Sequence, residues 1–326
     1  MTIKISNNAI TFGNFVLTSN TQGFTFDGKI RAKRGFIDSS VPNAMGVTNG
    51  YATSPSIINK FSFAFDTNAT LVGNLSQTRT AVASQSSKVS GYTSGGEAPP
   101  FSNVIDKYPF ATDTDATDVG NLIAARAQVS GQSSDTTGYT AGGENSPIGI
   151  FNTVDKFPFA SDTNASDALD LFQTRRPGSG QSSRTHGYAS GGESPSTIVD
   201  TIDKFSFATE ANATDVGNLS VSRRLATGQS SKVNGYTSGG LIAPGTLNTI
   251  DKFPFASDTN ASDVGDLTQS RRSSMGQSSS VHGYTSGGDA PGAVNTIDKF
   301  SFATDGNATN VGDTTFSGSG GAGHQN

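Results

Sequence analysis

Three kinds of side chain in this 326-residue sequence are placed where they could do chemistry. The first is arginine, present as the doublets Arg175-Arg176, Arg223-Arg224 and Arg271-Arg272, with Arg79 and Arg126 at the same place in earlier copies. Successive residues of an extended chain point to opposite faces. The first arginine of each doublet is therefore read as a structural donor to backbone carbonyls between neighbouring repeats. The second (Arg176, Arg224, Arg272) points the other way and is free to bind a ligand. The second kind is the polar turn Asp162-Thr163-Asn164-Ala165-Ser166-Asp167, which returns with Asp113, Asp115 and Asp118 and with Asp258, Asn260 and Asp263. It begins like a calcium loop, but calcium takes six to eight oxygens and no glutamate follows at the twelfth position. A hairpin turn rich in Asx residues accounts for it more simply. The third kind is histidine. His186, His282 and His324 are read as falling at non-equivalent repeat positions, so no metal set and no Ser-His-Asp arrangement is expected, and the chain is not expected to be an enzyme.

Composition narrows the classes further. The net charge is −5 with no long basic run, which argues against a nucleic-acid partner, since phosphate binding needs clustered Lys and Arg. There is no cysteine, so neither a disulfide nor a thiolate metal site can form. No apolar run reaches the ~18 residues of a membrane-spanning helix, so no membrane insertion is expected. The start, MTIKISNNAITFG, lacks the features of a signal peptide, and the chain is expected to be made without Sec export. The N-x-S/T sequons at Asn68, Asn164, Asn212, Asn260 and Asn307 are accordingly read as turn chemistry. Only 33% of residues are hydrophobic, but 21 phenylalanines recur periodically, as a packed fold requires.

The element that must position these groups is a repeat of about 48 residues, marked by tyrosines at 51, 92, 139, 188, 236 and 284. The Gln of GQSS precedes the tyrosine by 7 residues wherever it occurs, and the Asp of the Asp-Lys pair precedes the next Gln by 26. Only the tyrosine-to-Asp distance varies, through 8, 14, 16, 15, 15 and 14 residues, with Asn59 in the Asp place of the first copy. Each copy splits into four short strands, A to D. In the fifth they are residues 224–231, 236–239, 249–256 and 263–267, with Asn234-Gly235 as a hairpin signal between A and B. Four antiparallel strands per repeat predict a blade, and six tyrosines predict a six-bladed, all-β propeller over residues 44–316. Strand A, rich in Gly, Ser and Gln, suits the crowded axis. The strand C aromatics, such as Phe253 and Phe255, face one neighbouring blade, and Ile105, Val154, Ile202, Ile250 and Ile297 face the other. The Asp-Lys pairs are expected to form inter-strand or inter-blade ion pairs.

Antiparallel succession puts the A–B and C–D turns on one rim and the B–C and D–A connections on the other. The arginine doublets and the variable loops therefore share a rim. Its candidate ligand-binding residues are Pro100, Phe101, Ile150, Phe151, Arg176, Arg224, Leu241, Ile242 and Arg272. Exposed apolar groups mixed with arginine are what recognition surfaces use. No metal ligand and no cofactor is assigned.

The ends do not follow the repeat. Residues 1–43 read as a short β-rich attachment segment, with Asp27-Gly28 as a turn and a basic cluster at Lys29, Arg31, Lys33 and Arg34, too small to bury its own core. It is expected to need a partner, which could be a second copy of the chain. Two segments align with strand A of the first blade: Ala44–Thr48 and the Gly-rich tail, residues 317–326, in which His324 stands in the Gln place. Closure by the tail is the favoured alternative and would set the attachment segment opposite the variable loops.

With Arg ahead of strand A, Tyr-x-x-Gly-Gly, a variable loop and a strand ending in aromatics, residues 44–316 resemble kelch repeats. The Gly-Gly doublets at 95–96, 142–143, 191–192, 239–240 and 287–288 carry the likeness. The chain departs from the pattern in having no strand D tryptophan; Val72, Val119, Val216, Val264 and Val311 stand in its place. Some kelch propellers are copper oxidases with a Tyr-Cys cross-link, which a chain without cysteine cannot make. The run GYTSGG…IDKFPFASDTNATDVGDL further resembles repeats of marine bacteriophage proteins, cyanophages especially, and the opening residues resemble attachment segments of tail-fibre-like proteins. This implies a non-enzymatic virion appendage assembled in the host cytoplasm, joined to other virion proteins by its N-terminal segment and recognising a host surface glycan or protein. A structural virion spacer and a cellular kelch-type scaffold are the alternatives.

Overall fold

The computed structural model describes strands Ile3–Ser6, Ala9–Phe12, Phe15–Asn20, Gly23–Phe26 and Asn49–Thr53, and residues 55–325. The chain forms two compact units, Met1–Asp38 and Ser39–Asn326. In the first, the four N-terminal strands form an antiparallel meander in chain order. Asp27-Gly28, the basic cluster that follows and the Ala44–Thr48 segment lie outside the described residues.

The second unit is an all-β propeller without helices among its described residues. Five of its four-stranded sheets are each made by one continuous stretch of chain. With strands in the order A, B, C and D, sheet 2 is Ala83–Ser86, Ser90–Ser94, Val104–Pro109 and Thr117–Asn121. Sheet 3 is Ser130–Ser133, Thr137–Ala141, Thr153–Pro158 and Ser166–Asp170. Sheet 4 is Arg176–Ser182, His186–Glu193, Ile198–Ser206 and Thr214–Asn218. Sheet 5 is Thr227–Ser230, Asn234–Ser238, Thr249–Pro254 and Ser262–Asp266, and sheet 6 is Met275–Ser278, His282–Ser286, Thr296–Ser301 and Thr309–Asp313. The remaining sheet, sheet 1, is composite. Its strands B, C and D are Asn49–Thr53, Ile57–Ser62 and Thr70–Asn74, and its strand A is Ala322–Gln325 from the far end of the sequence. The Gly-rich tail thus closes the ring.

Neighbouring sheets are held by the face pattern expected of strands B, C and D. Between sheets 4 and 5, Tyr188, Ile202 and Leu219 of one meet Phe253 and Phe255 of the next, with Val216 packed alongside. Tyr188 stacks on Phe255 with centroids 4.8 Å apart, and the same stack joins Tyr92 to Phe159 and Tyr284 to Phe63. The strand D valines fill these interfaces where a larger aromatic could have stood.

The inner strands approach closely enough to dictate their sequence. A Cβ on Gly228 would sit 2.1 Å from the Gly180 carbonyl oxygen, and one on Gly276 2.2 Å from that of Gly228. Glycine at this place lets each inner strand lie against the backbone of the one before. Around the axis the inner strands leave a cavity of about 90 Å³ lined by Gly, Ser, Thr, Ala, Val and Met.

Two further rings of polar contacts link the sheets. The strand C lysines do not pair with their neighbouring Asp, but with an acid on the C–D turn of the next sheet: Lys107 with Asp162 (2.8 Å), Lys204 with Asp258 (2.8 Å) and, across the closure, Lys299 with Asp66 (2.6 Å). The asparagine of the same turn reaches back the other way. Asn164 Oδ1 accepts from the Asn121 amide, Asn260 from that of Asn218 and Asn68 from that of Asp313, each at 3.0 Å. The leading Asp and the Asn of the turn that suggested a calcium loop are thus occupied in joining one sheet to the next, while Asp118 and Asp263 accept from Gly120 and Gly265 in their own strands; the joining role explains why the turn's Asn recurs.

The candidate recognition rim

The Arg doublets sit where the D–A connection of one sheet turns into the inner strand of the next. The first arginine of each is fully buried and ion-paired with the strand C Asp: Arg79 with Asp106 (3.0 Å), Arg175 with Asp203 (3.0 Å) and Arg271 with Asp298 (2.7 Å). Its other donors find carbonyls, as expected, but those carbonyls belong to the sheet the arginine is about to enter rather than bridging two sheets. Arg79 donates to Thr93 O (2.8 Å), Gly95 O (2.9 Å) and Val104 O (2.6 Å), all in sheet 2 or its B–C loop. The Asp provides the link between sheets. Asp203 accepts from the amide of Phe172 (3.0 Å) and Asp251 from that of Ser220 (2.8 Å), both in the incoming connection. Burial works against both charges, lowering the affinity of Arg175 for its proton and raising that of Asp203 for one, while each partner pulls the other back. In sheet 1 the arginine place is Gly318 and the Asp place is Asn59, so the two charges are absent together; Asn59 still accepts from the Thr315 amide at 2.7 Å.

The second arginines lie half-buried on the rim with carboxylate partners that the sequence reading did not foresee. Arg176 pairs with Glu144 of sheet 3 (2.9 Å) and Glu193 of its own sheet (3.3 Å), and Glu193 also pairs with Arg224 of sheet 5 (2.6 Å). The result is an alternating line, Glu144–Arg176–Glu193–Arg224, across three sheets. Arg272 is looser, 3.8 Å from Asp289. The signal was present in the sequence: the residue after the Gly-Gly doublet is Glu97, Glu144, Glu193 or Asp289 in every doublet-bearing copy but one.

The apolar candidates divide. Pro100 is exposed, while Phe101, Ile150 and Ile242 are half-buried. Phe151 is half-buried beneath the Arg126 guanidinium, 5.5 Å from its ring centre. Leu241 is buried at 8% exposure, its backbone paired with that of Arg224, so it is not available on the surface. Also exposed are Ile148 (70%), Phe172 (61%) and Ile123 (56%). Ile148 tips a small hairpin of Glu144–Asn145 and Gly149–Ile150, which Asn145 ties to Ala125 O of the adjoining connection (2.6 Å). Phe172 was legible as the aromatic where the other connections carry Ser76, Ile123, Ser220, Thr268 and Thr315.

His186 and His282 both begin strand B, two residues before the tyrosine, so they occupy the same repeat position after all, in sheets 4 and 6. His324 lies apart from them in the inner strand of sheet 1. Compared with known proteins, the chain matches no protein-family model, and no curated protein is significantly similar to it.

Proposed function

We propose that this chain is a non-enzymatic virion appendage of the phage tail-fibre or adhesin type, a six-bladed kelch-like ring that presents its variable loops to a host surface ligand. The observation that carries this is the confinement of length variation to one connection. The B–C loops run from residues 54–56 in sheet 1 to residues 142–152 in sheet 3, while the opposite rim repeats nearly unchanged. A rigid frame with one variable edge is how repeat proteins hold binding loops. The N-terminal unit serves as the attachment to other virion proteins. Strand B of sheet 1 begins on the A–B rim, opposite the variable loops.

The test replaces the loop tips, residues 146–149 and separately 243–246, with Gly-Ser segments of equal length. Binding of the labelled full chain to marine bacterial cells and to an array of bacterial surface glycans is then measured. The proposal expects the parent to bind and at least one loop variant to lose binding by tenfold or more at unchanged melting temperature. A parent that binds neither cells nor glycans supports a spacer, and binding indifferent to all loop replacements moves recognition off this rim.

A further inference from the structure

In sheets 2 to 5 the inner-strand glutamine ties its sheet to the next. Gln85 Nε2 donates to Tyr139 O (2.9 Å), Gln181 to Tyr236 O (2.9 Å) and Gln229 to Tyr284 O (3.0 Å). Sheet 1 has His324 in that place. Its Nε2 lies 2.7 Å from Tyr92 O and 3.3 Å from Thr93 Oγ1, and its ring meets Tyr108 edge-on at 5.3 Å. A carbonyl can only accept, so Nε2 carries the hydrogen and Nδ1 is the bare nitrogen. Nδ1 is buried and has no hydrogen-bond partner.

We propose that the propeller is acid-gated at its composite sheet: protonation of His324 at Nδ1 releases strand Ala322–Gln325 from Asn49–Thr53 and opens the ring there.

Three features place the gate at this sheet. Its inner strand is joined to it by hydrogen bonds alone, with no chain connection to strand B. It lacks the buried Arg–Asp pair, since Gly318 and Asn59 stand in those places. Among the described residues, a proton added at Nδ1 also finds no anion. The strands packed around His324 are Asn49–Thr53, Ala83–Ser86, Ser90–Ser94 and Met275–Ser278, and they carry no charged side chain; their titratable groups are Tyr51 and Tyr92. On the strand of Tyr108, Asp106 is held by Arg79 and Lys107 by Asp162.

Burial lowers the His324 pKa from 6.5 to about 4, and the hydrogen bond to Tyr92 opposes this only in part. The folded pKa is depressed in a base, so the closed form is favoured fully above the open-state value and progressively less as pH falls from there toward 4. With an ordinary histidine in the open strand, the opening equilibrium grows about 20-fold between pH 7 and pH 5.

Hydrogen exchange on the full chain, corrected for intrinsic pH dependence, reads this directly. Amides of 322–325 and 49–53 are expected to accelerate about 20-fold from pH 7 to pH 5 relative to those of Ser130–Ser133 and Thr137–Ala141. In His324→Gln, which installs the residue of the other inner strands, the acceleration should vanish although His186 and His282 still titrate. Equal acceleration in that variant, or none in the parent, overturns the proposal. So does an NMR titration of the parent that finds His324 at an ordinary histidine pKa, a measurement needing no variant.

Discussion

The pairing of Arg175 with Asp203 shows how a buried charge is tolerated. Neither group reaches water; the two pair with each other and bond backbone groups, although Arg175 Nε and Asp203 Oδ1 are left without a hydrogen-bond partner. Removing one partner strands the other, which typically costs about 3–5 kcal/mol, whereas removing both is far milder. The chain contains that double removal already, in Gly318 and Asn59. Asp203→Asn alone should therefore destabilise by roughly 3 kcal/mol or more in denaturant melts, while Arg175→Met combined with Asp203→Asn should cost less than either change alone. A double mutant no better than the singles would mean that the guanidinium's carbonyl contacts, and not charge balance, dominate. On the rim, Glu193 joins Arg176 and Arg224, so Glu193→Gln should leave stability within about 1 kcal/mol, because partly exposed pairs contribute little. If the rim binds an anionic ligand, the same change should strengthen binding by freeing two guanidinium groups.

Among the elements, the inner strands are the least forgiving. Gly228→Ala would drive a methyl into the Gly180 carbonyl, and a cost of about 1–3 kcal/mol is expected by thermal or denaturant unfolding. An unchanged melt would show that the inner strands can spread. This element was legible in the sequence as a Gly- and Ser-rich strand, and so were the aromatic faces of strand C, because both follow from period-two alternation in a stacked sheet. The lysine partners were not legible. Lys204 and Asp258 are 54 residues apart, and only the stagger of one sheet against the next brings them together. The left-handed backbone at the entry to strand A was equally hidden. Ala81, Gln128, Leu225 and Ser273 adopt it with φ near +53°, although none is glycine. Pro177 occupies the same place in sheet 4, where its ring forbids that conformation. The chain instead stays extended, and Arg176–Ser182 becomes a longer inner strand than its counterparts. The proline was in plain view, but its meaning depended on what the other copies do there.

For the whole molecule, the choice between two candidate closing strands could not be made from spacing, since both keep the repeat's count; the pairing of Ala322–Gln325 with Asn49–Thr53 decides it. Deleting residues 317–326 removes that strand and uncovers the inner edge of sheet 1. A fall in melting temperature of several degrees is expected, about 2–4 °C per kcal/mol lost in a unit of this size. An unchanged melting temperature would require another segment to take the vacated edge.

Composite closure also sets a timetable for biogenesis. Thr53 and Ala322, which share a hydrogen bond in the finished sheet, are 269 residues apart. At ordinary rates of translation, strand B of sheet 1 leaves the ribosome roughly 15 to 50 s before its partner exists. Throughout that interval the nascent protein carries an unpaired strand edge, the kind of surface that recruits other chains. Crowded synthesis, as on a polysome where many copies emerge side by side, therefore exposes this protein to one characteristic error: capture of a neighbour's strand at the open edge before its own arrives.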